Sequence, residues 1–386
     1  MSIYFKKEET VRTFLLSFLF FSLIVLSIIY NSGYVSDNKS LGFILAYIRL
    51  FFAFVCFLLS SDKVFNSFRN IFLVLIPLIL LFLSFRVINF NEMIFAFLVF
   101  PAVNVLGINR MLRIDLFART FSFFVVILFF RILKTSTFFY GSGRMKPSLG
   151  FSNPNTLGEI ALVIACELFI LRKEINKFVF YGLNIFIFII IFISGARTSI
   201  YMYILFILLQ IFMENTTFFK KNTTAKRLVI SGLPFYLFMI SIYVVYRYTY
   251  FANNFLIKID YILSGRLRYT SYYFSEYKLN AFPTNIGLTN ASKIGPLDPG
   301  YISLLERDGL IICCIFLLYL SITIFKLCDN KYRKYISSFI IFIFIGLSES
   351  TFYVLSINIF LLYLAVILKN SENENRRTIS SRSKLE

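Results

Sequence analysis

The chain has 386 residues, of which 58% are hydrophobic and only 15% charged, and its mean hydropathy is +0.77. Soluble domains carry about a quarter of charged residues, and no water-soluble fold could hide this much apolar surface, so the composition excludes one. Lys and Arg outnumber Asp and Glu by 39 to 20; in so apolar a chain the excess reads first as a membrane-orientation signal, not as nucleic-acid binding.

A spanning helix needs about 20 mostly apolar residues. Runs of that kind predict an all-α polytopic membrane protein of about twelve spans, at 13–30, 41–60, 71–88, 92–107, 116–133, 156–171, 178–194, 198–213, 228–247, 300–325, 335–348 and 351–368. Lys6, Lys7 and Arg12 precede the first run, and no small-residue cleavage site follows it, so it is read as a span and not as a removed signal. Segment 178–213 is too long for one span and is split at Ser194-Gly195-Ala196-Arg197, while the last two spans form a hairpin around Ser348-Glu349-Ser350. Residues 1–370 thus form one multi-span domain and 371–386 a polar cytoplasmic tail. The five cysteines lie in apolar runs or beside a basic loop and read as packing residues.

With both termini placed in the cytoplasm, every inner loop is basic: Lys63 and Arg69, Arg110 and Arg113, Arg172 to Lys177, Lys220 to Arg227, and Lys326 to Lys334. Two outer segments break that pattern. Residues 131–155 hold Arg131, Lys134, Arg144 and Lys146, and the large outer-face loop 248–299 holds Lys258, Arg266, Arg268, Lys278 and Lys293. Cations kept outside against the usual bias point either to a bound anion or to anionic lipid head groups.

Four stretches could carry chemistry. In Arg144 to Glu159, Asn153 caps a helix that has Pro154 in its first turn, and Asn155 follows; free helix N–H groups beside Arg144 suit an anion such as phosphate. Arg197 sits in the tight turn Ser194 to Ser199, where a snorkelling interfacial arginine is the plainer reading. In the long loop, Arg266, Arg268, Tyr269, Tyr272, Tyr273 and Tyr277 have a spacing that could share one helical face. Guanidinium groups and aromatic rings together suit sugars joined to phosphate, and an amphipathic helix lying on head groups is the alternative. Finally, Asp298-Pro299 opens a further helix that carries Glu306, Arg307 and Asp308 into an apolar run. Glu159 and Glu349 complete the carboxylates near the outer ends of helices.

Absences narrow the chemistry. Without histidine there is no Ser-His or Cys-His catalysis and no imidazole base or ligand; no Asp-x-Asp pair and no ATP-binding Gly-x-x-x-x-Gly-Lys-Ser/Thr loop occur. Neither a metal nor a cofactor is expected.

Taken in order, the Arg144 to Gly158 stretch with its Asn-Pro-Asn, the Ser-Gly-Ala-Arg-Thr turn at Arg197, Ser-Gly-Arg at Arg266, Asp298 to Gly309, and Glu349 in the last hairpin resemble the Wzy-type O-antigen and capsular polysaccharide polymerases, within the superfamily that includes O-antigen ligases. The resemblance spans roughly 140–360. The ligase branch uses a histidine that is missing here, which favours a polymerase; the Arg-Gly spacing of some polymerases is not reproduced at Arg144 or Arg266.

The resemblance implies a multi-pass enzyme of the bacterial plasma membrane, a glycosyltransferase that needs no metal. It would join oligosaccharide units linked to undecaprenyl pyrophosphate into capsule, O-antigen or exopolysaccharide at the outer face. Membrane lipid, and the flippase and chain-length regulator of the same pathway, are the implied partners. On this reading Asp298, then Glu349 or Glu159, is the catalytic base, while Arg144, Asn153, Asn155, Arg197, Arg266, Arg268, Tyr269 and Tyr273 bind substrate. The rivals are a flippase or another twelve-span transporter, a ligase-like transferase, and a non-catalytic lipid-binding assembly protein.

Overall fold

A computed structural model describes residues 2–88, 92–133, 138–141, 144–215, 223–263, 265–284, 286, 297–329 and 331–368. Its helices are α1 (Ser2–Tyr30), α2 (Gly33–Asp37), α3 (Lys39–Ser60), α4 (Asp62–Phe65), α5 (Phe68–Ile88), α6 (Met93–Leu106), α7 (Ile108–Leu133), α8 (Pro154–Leu171), α9 (Lys177–Ser194), α10 (Arg197–Asn215), α11 (Thr224–Ser231), α12 (Leu233–Phe251), α13 (Asn254–Ile262), α14 (Arg266–Glu276), α15 (Gly300–Leu327) and α16 (Ile336–Ile345). A small antiparallel hairpin, β1 (Phe138–Gly141) with β2 (Arg144–Pro147), interrupts the helices between α7 and α8.

The architecture is that of an all-α membrane protein. Among the described residues, seven helical stretches are long and apolar enough to cross a bilayer: Glu9–Tyr30, Lys39–Ser60, Pro154–Leu171, Lys177–Ser194, Arg197–Asn215, Thr224–Phe251 and Gly300–Leu327. The remaining expected spans fall on helices that are shorter or more polar.

Two layers explain the hydrophobic pattern. Side chains of α6, α8, α16 and the final 359–368 segment are buried on nearly every side. Around them α1, α3, α9, α10 and α12 bury one stripe and expose Phe51, Phe54, Phe178, Ile185, Phe192 and Tyr243. Lipid tails solvate such side chains as readily as a protein core does, so an apolar outer surface carries no penalty in a bilayer.

The last expected span, 351–368, is not one α-helix. Ser350–Tyr353 forms a 3₁₀ turn, Val354 is extended, and Ile359–Leu368 runs as a ten-residue 3₁₀ segment. Backbone groups freed by this irregular path need partners away from water. Arg119 Nη1 donates to Ser356 O (2.9 Å) and Asn358 Nδ2 to Phe352 O (2.5 Å), so two buried polar side chains replace helical hydrogen bonds.

Helix α15 also breaks, at Gly309 (φ +82°). There the chain after α14 docks into the gap: Leu310 N donates to Asn280 O (2.9 Å), Ile311 N to Ala281 O (3.2 Å) and Thr284 N to Arg307 O (2.8 Å). A side chain at Gly309 would collide with the Phe282 backbone, 2.6 Å from an ideal Cβ. The expected long loop thus contains α13 and α14, and this clasp ties α14 to the start of α15.

Candidate functional site

Helices α8, α10, α14 and α15 all begin at one end of the bundle, and local chemistry fixes each start. Asn153 Oδ1 accepts from the N–H groups of Asn155 (2.6 Å) and Thr156 (3.4 Å), with Pro154 opening α8. Left-handed Gly195 ends α9, and Ser194 Oγ accepts from Ala196 N (3.2 Å) before α10. Gly158 lets α8 cross this turn, since an added Cβ would lie 2.6 Å from Ala196 Cβ. For α14, buried Asp260 accepts from the N–H groups of Leu267 (2.9 Å) and Arg268 (3.1 Å) through Oδ1, and from Tyr248 Oη (3.2 Å) through Oδ2. Gly300, opening α15, packs on the Glu349 carbonyl with no space for a side chain, and Tyr301 N donates to Gly346 O (3.1 Å).

Arg266 stands where these starts meet. Its Nη2 donates to Glu349 Oε1 (2.7 Å), its Nε lies 3.3 Å from Asp298 Oδ2, and its Nη1 donates to Ser348 O (2.7 Å). Glu349 Oε1 also accepts from Thr198 Oγ1 (3.1 Å) and Asn155 Nδ2 (3.4 Å). Five segments far apart in sequence thus supply one polar cluster. Glu159, one turn beyond Asn155, is buried close to Thr351 and lies within electrostatic reach of Glu349, Arg266 and Asp298.

The side chains differ in access: 7% of Glu349 is exposed, 13% of Arg266 and 28% of Asp298. Burial pushes the Asp298 and Glu349 carboxyls above the ordinary carboxylate range, and the Arg266 guanidinium beside them opposes that rise. For Arg266, burial works to lower the pKa, but Glu349 and Asp298 outweigh it and hold the cation more firmly. Asp298 is thus the carboxylate with both an accessible surface and a strengthened affinity for a proton.

Other expected site residues lie elsewhere. Asn153 is engaged as a cap. Arg197 is half-buried in the first turn of α10. Arg268 is exposed and lies over the Tyr269 ring (5.3 Å to its centre). Tyr273 is fully buried, near Tyr277 and in a cluster with Val245, Leu267 and Ile302, because the helical period puts it on the inward face of α14 with Leu267 and Thr270. The Arg144 side chain lies outside the described residues. Sequence reasoning passed over Thr198, Ser348 and the capping Asp260; the first two sit inside motifs already singled out, so their signal was proximity to Arg197 and Glu349.

A second ionic cluster is sealed in the bundle. Asp115 and Arg119, one turn apart on α7, pair at 2.8 and 3.1 Å with neither side chain exposed, and Glu167 on α8 is coupled to both. Glu167 lies eight residues from Glu159, about 12 Å along the helix.

No protein-family model, curated protein or solved structure matches the chain.

Proposed function

We propose that the protein polymerises lipid-pyrophosphate-linked oligosaccharide units at the outer face of a bacterial plasma membrane. The observation that carries this reading is the convergence on Arg266: every stretch that bears the resemblance to the polysaccharide polymerases contributes a side chain to one cluster, or sits beside it. With basic loops inside, the chain crosses the bilayer about twelve times, both termini are cytoplasmic, and the Arg266 end faces outward.

In the proposed step, a sugar hydroxyl of one lipid-linked unit attacks the anomeric carbon of a growing chain. The new C–O bond forms as the old one to pyrophosphate breaks, and its electron pair leaves on the lipid pyrophosphate. The hydroxyl proton passes to Asp298, which keeps exposed surface beside its contact with Arg266. Arg266 holds Asp298 and Glu349 in place, and Arg197 and Arg268, near the N-termini of α10 and α14, take the charge of the leaving pyrophosphate. Arg266 thus serves as a positioning residue here, in place of the clamp that its sequence context suggests.

A second reading, a flippase, draws on the Glu167 cluster, because buried charge at two depths on α8 is what a route across the bilayer needs. A polymerase-deficient host that makes the cognate unit separates the two. Expression should restore a ladder of polysaccharide lengths, and Arg266→Ala, inserted at equal abundance, should leave single units. If the ladder stays absent and lipid-linked units collect on the inner face without the protein, transport replaces polymerisation.

A further inference from the structure

A polymerase of this type consumes two lipid-linked molecules at once, yet the Arg266 cluster is a single compact centre. A pair of adjoining concavities beside short helix α2 offers a second place.

The first, about 420 Å³, lies between α1, α3 and α7 and is almost wholly apolar, walled by Leu26, Ile29, Leu45, Val125, Val126 and Phe129. The second, about 400 Å³, lies across α2 and is mixed: Tyr30, Tyr47 and Phe43 present aromatic rings, while Asn31, Ser36 and Ser152 present hydrogen-bonding groups. Val35 of α2 lines both. Behind the mixed pocket the Tyr30 ring lies 4.3 Å from the guanidinium carbon of Arg49. Arg49 is fully buried and paired with Glu92 (2.5 Å), and its Nη1 meets no acceptor among the described residues.

An apolar and a mixed pocket that meet at Val35 match an amphiphile: a hydrocarbon chain in one and a head in the other. The head chemistry favours sugar. Aromatic rings suit the C–H faces of pyranose rings, and amide and hydroxyl groups suit their hydroxyls. Lys39 at the rim supplies a cation for the phosphate that joins the chain to its sugars.

The mixed pocket is also tied to the cluster through the backbone. Gly33 N donates to Gly150 O (2.8 Å) and Ser152 N to Asn31 O (2.9 Å), which fixes α2 against the turn that leads into α8. Ser152 lines the pocket, and three residues later Asn155 contacts Glu349.

We propose that the two concavities flanking α2 hold a polyisoprenyl-linked saccharide, its chain in the apolar pocket and its sugars against Tyr30 and Tyr47, as the second substrate of the outer-face reaction. The inference rests on the polymerase reading for its purpose, but its binding test does not.

The test uses purified full-length protein in detergent and a photoreactive polyisoprenyl-phosphate saccharide, with a photoreactive phosphatidylglycerol as control. The saccharide probe should label residues 26–45 and 125–129, and unlabelled lipid-linked saccharide should compete. Val125→Trp, filling the apolar pocket, should abolish that labelling. Tyr47→Ala, at an exposed side chain that folding does not depend on, should raise the half-saturating concentration about tenfold, or about 1.4 kcal/mol. Equal labelling by phosphatidylglycerol without competition would mean ordinary bilayer lipid and would overturn the proposal, as would saccharide labelling that both variants leave intact. Specific labelling by a protein that restores no ladder would retain the site and remove the polymerase reading.

Discussion

Two ionic clusters of this bundle, at Arg266 and at Arg119, use similar residues in opposite ways. At Arg266 a guanidinium meets two carboxylates where four helix starts converge, and Asp298 keeps 28% of its side chain exposed. At Arg119 the partner Asp115 lies one turn away on the same helix, and neither side chain is exposed. The second pair satisfies an irregular backbone, through Ser356 O, in a place no substrate can reach. Only the first combines charge, access and contributions from several segments. An ionisable group within a membrane protein is therefore a functional candidate chiefly when something outside can touch it.

Breaking the sealed cluster should have the largest effect. Arg119→Ala leaves a buried Asp115 carboxylate and the Ser356 carbonyl without their partner, which by analogy with buried pairs costs about 3–5 kcal/mol. Thermal unfolding in detergent should show a large loss of stability, or the folded protein should be absent. On the proposed reading, Arg266→Gln should instead leave a folded protein with transfer reduced about 10²-fold through displaced carboxylates, read from product formed by the purified protein. Comparable loss of stability in both variants would erase the contrast.

The next effect concerns pH. Because Asp298 and Glu349 are held above their ordinary range, the base form appears only as pH rises through that raised value, so the rate should climb with pH there. Asp298→Asn should remove this limb. The sign for stability is the reverse: what each raised carboxyl contributes is complete below its unfolded value, about 4, and is lost as pH rises through the folded one. A pH–rate profile checks the first sign and a chemical denaturation series across pH checks the second. The smallest change is Asn153→Ala, which removes the α8 cap and should cost about 1 kcal/mol with modest loss of rate, since Asn153 holds the helix and not the substrate.

Much of this was legible in the sequence. Apolar runs located most helices to within a few residues, and turn chemistry at Asn153-Pro154 and Gly195 marked two of the starts that build the site. Asp298, Asn155 and Glu349 were visible as polar groups at the ends of apolar runs, and Arg266 as a cation kept in the long outer loop against the usual charge bias. What hydropathy could not express was depth and pairing. It reads 351–368 as one more span, although Arg119 and Asn358 hold it in another path. It cannot tell that Tyr273 faces inward while Tyr272, one residue earlier, is exposed. Nor does composition show that Arg266 spends its hydrogen bonds on carboxylates, a contact formed between residues 32 and 83 positions apart.

The most direct measurement is the length distribution of polysaccharide made by Asp298→Asn beside wild type, at matched membrane abundance in a polymerase-deficient host. A ladder from wild type and single units from the variant are the predicted result. A full ladder from Asp298→Asn would contradict the assignment of transfer chemistry to the Arg266 cluster.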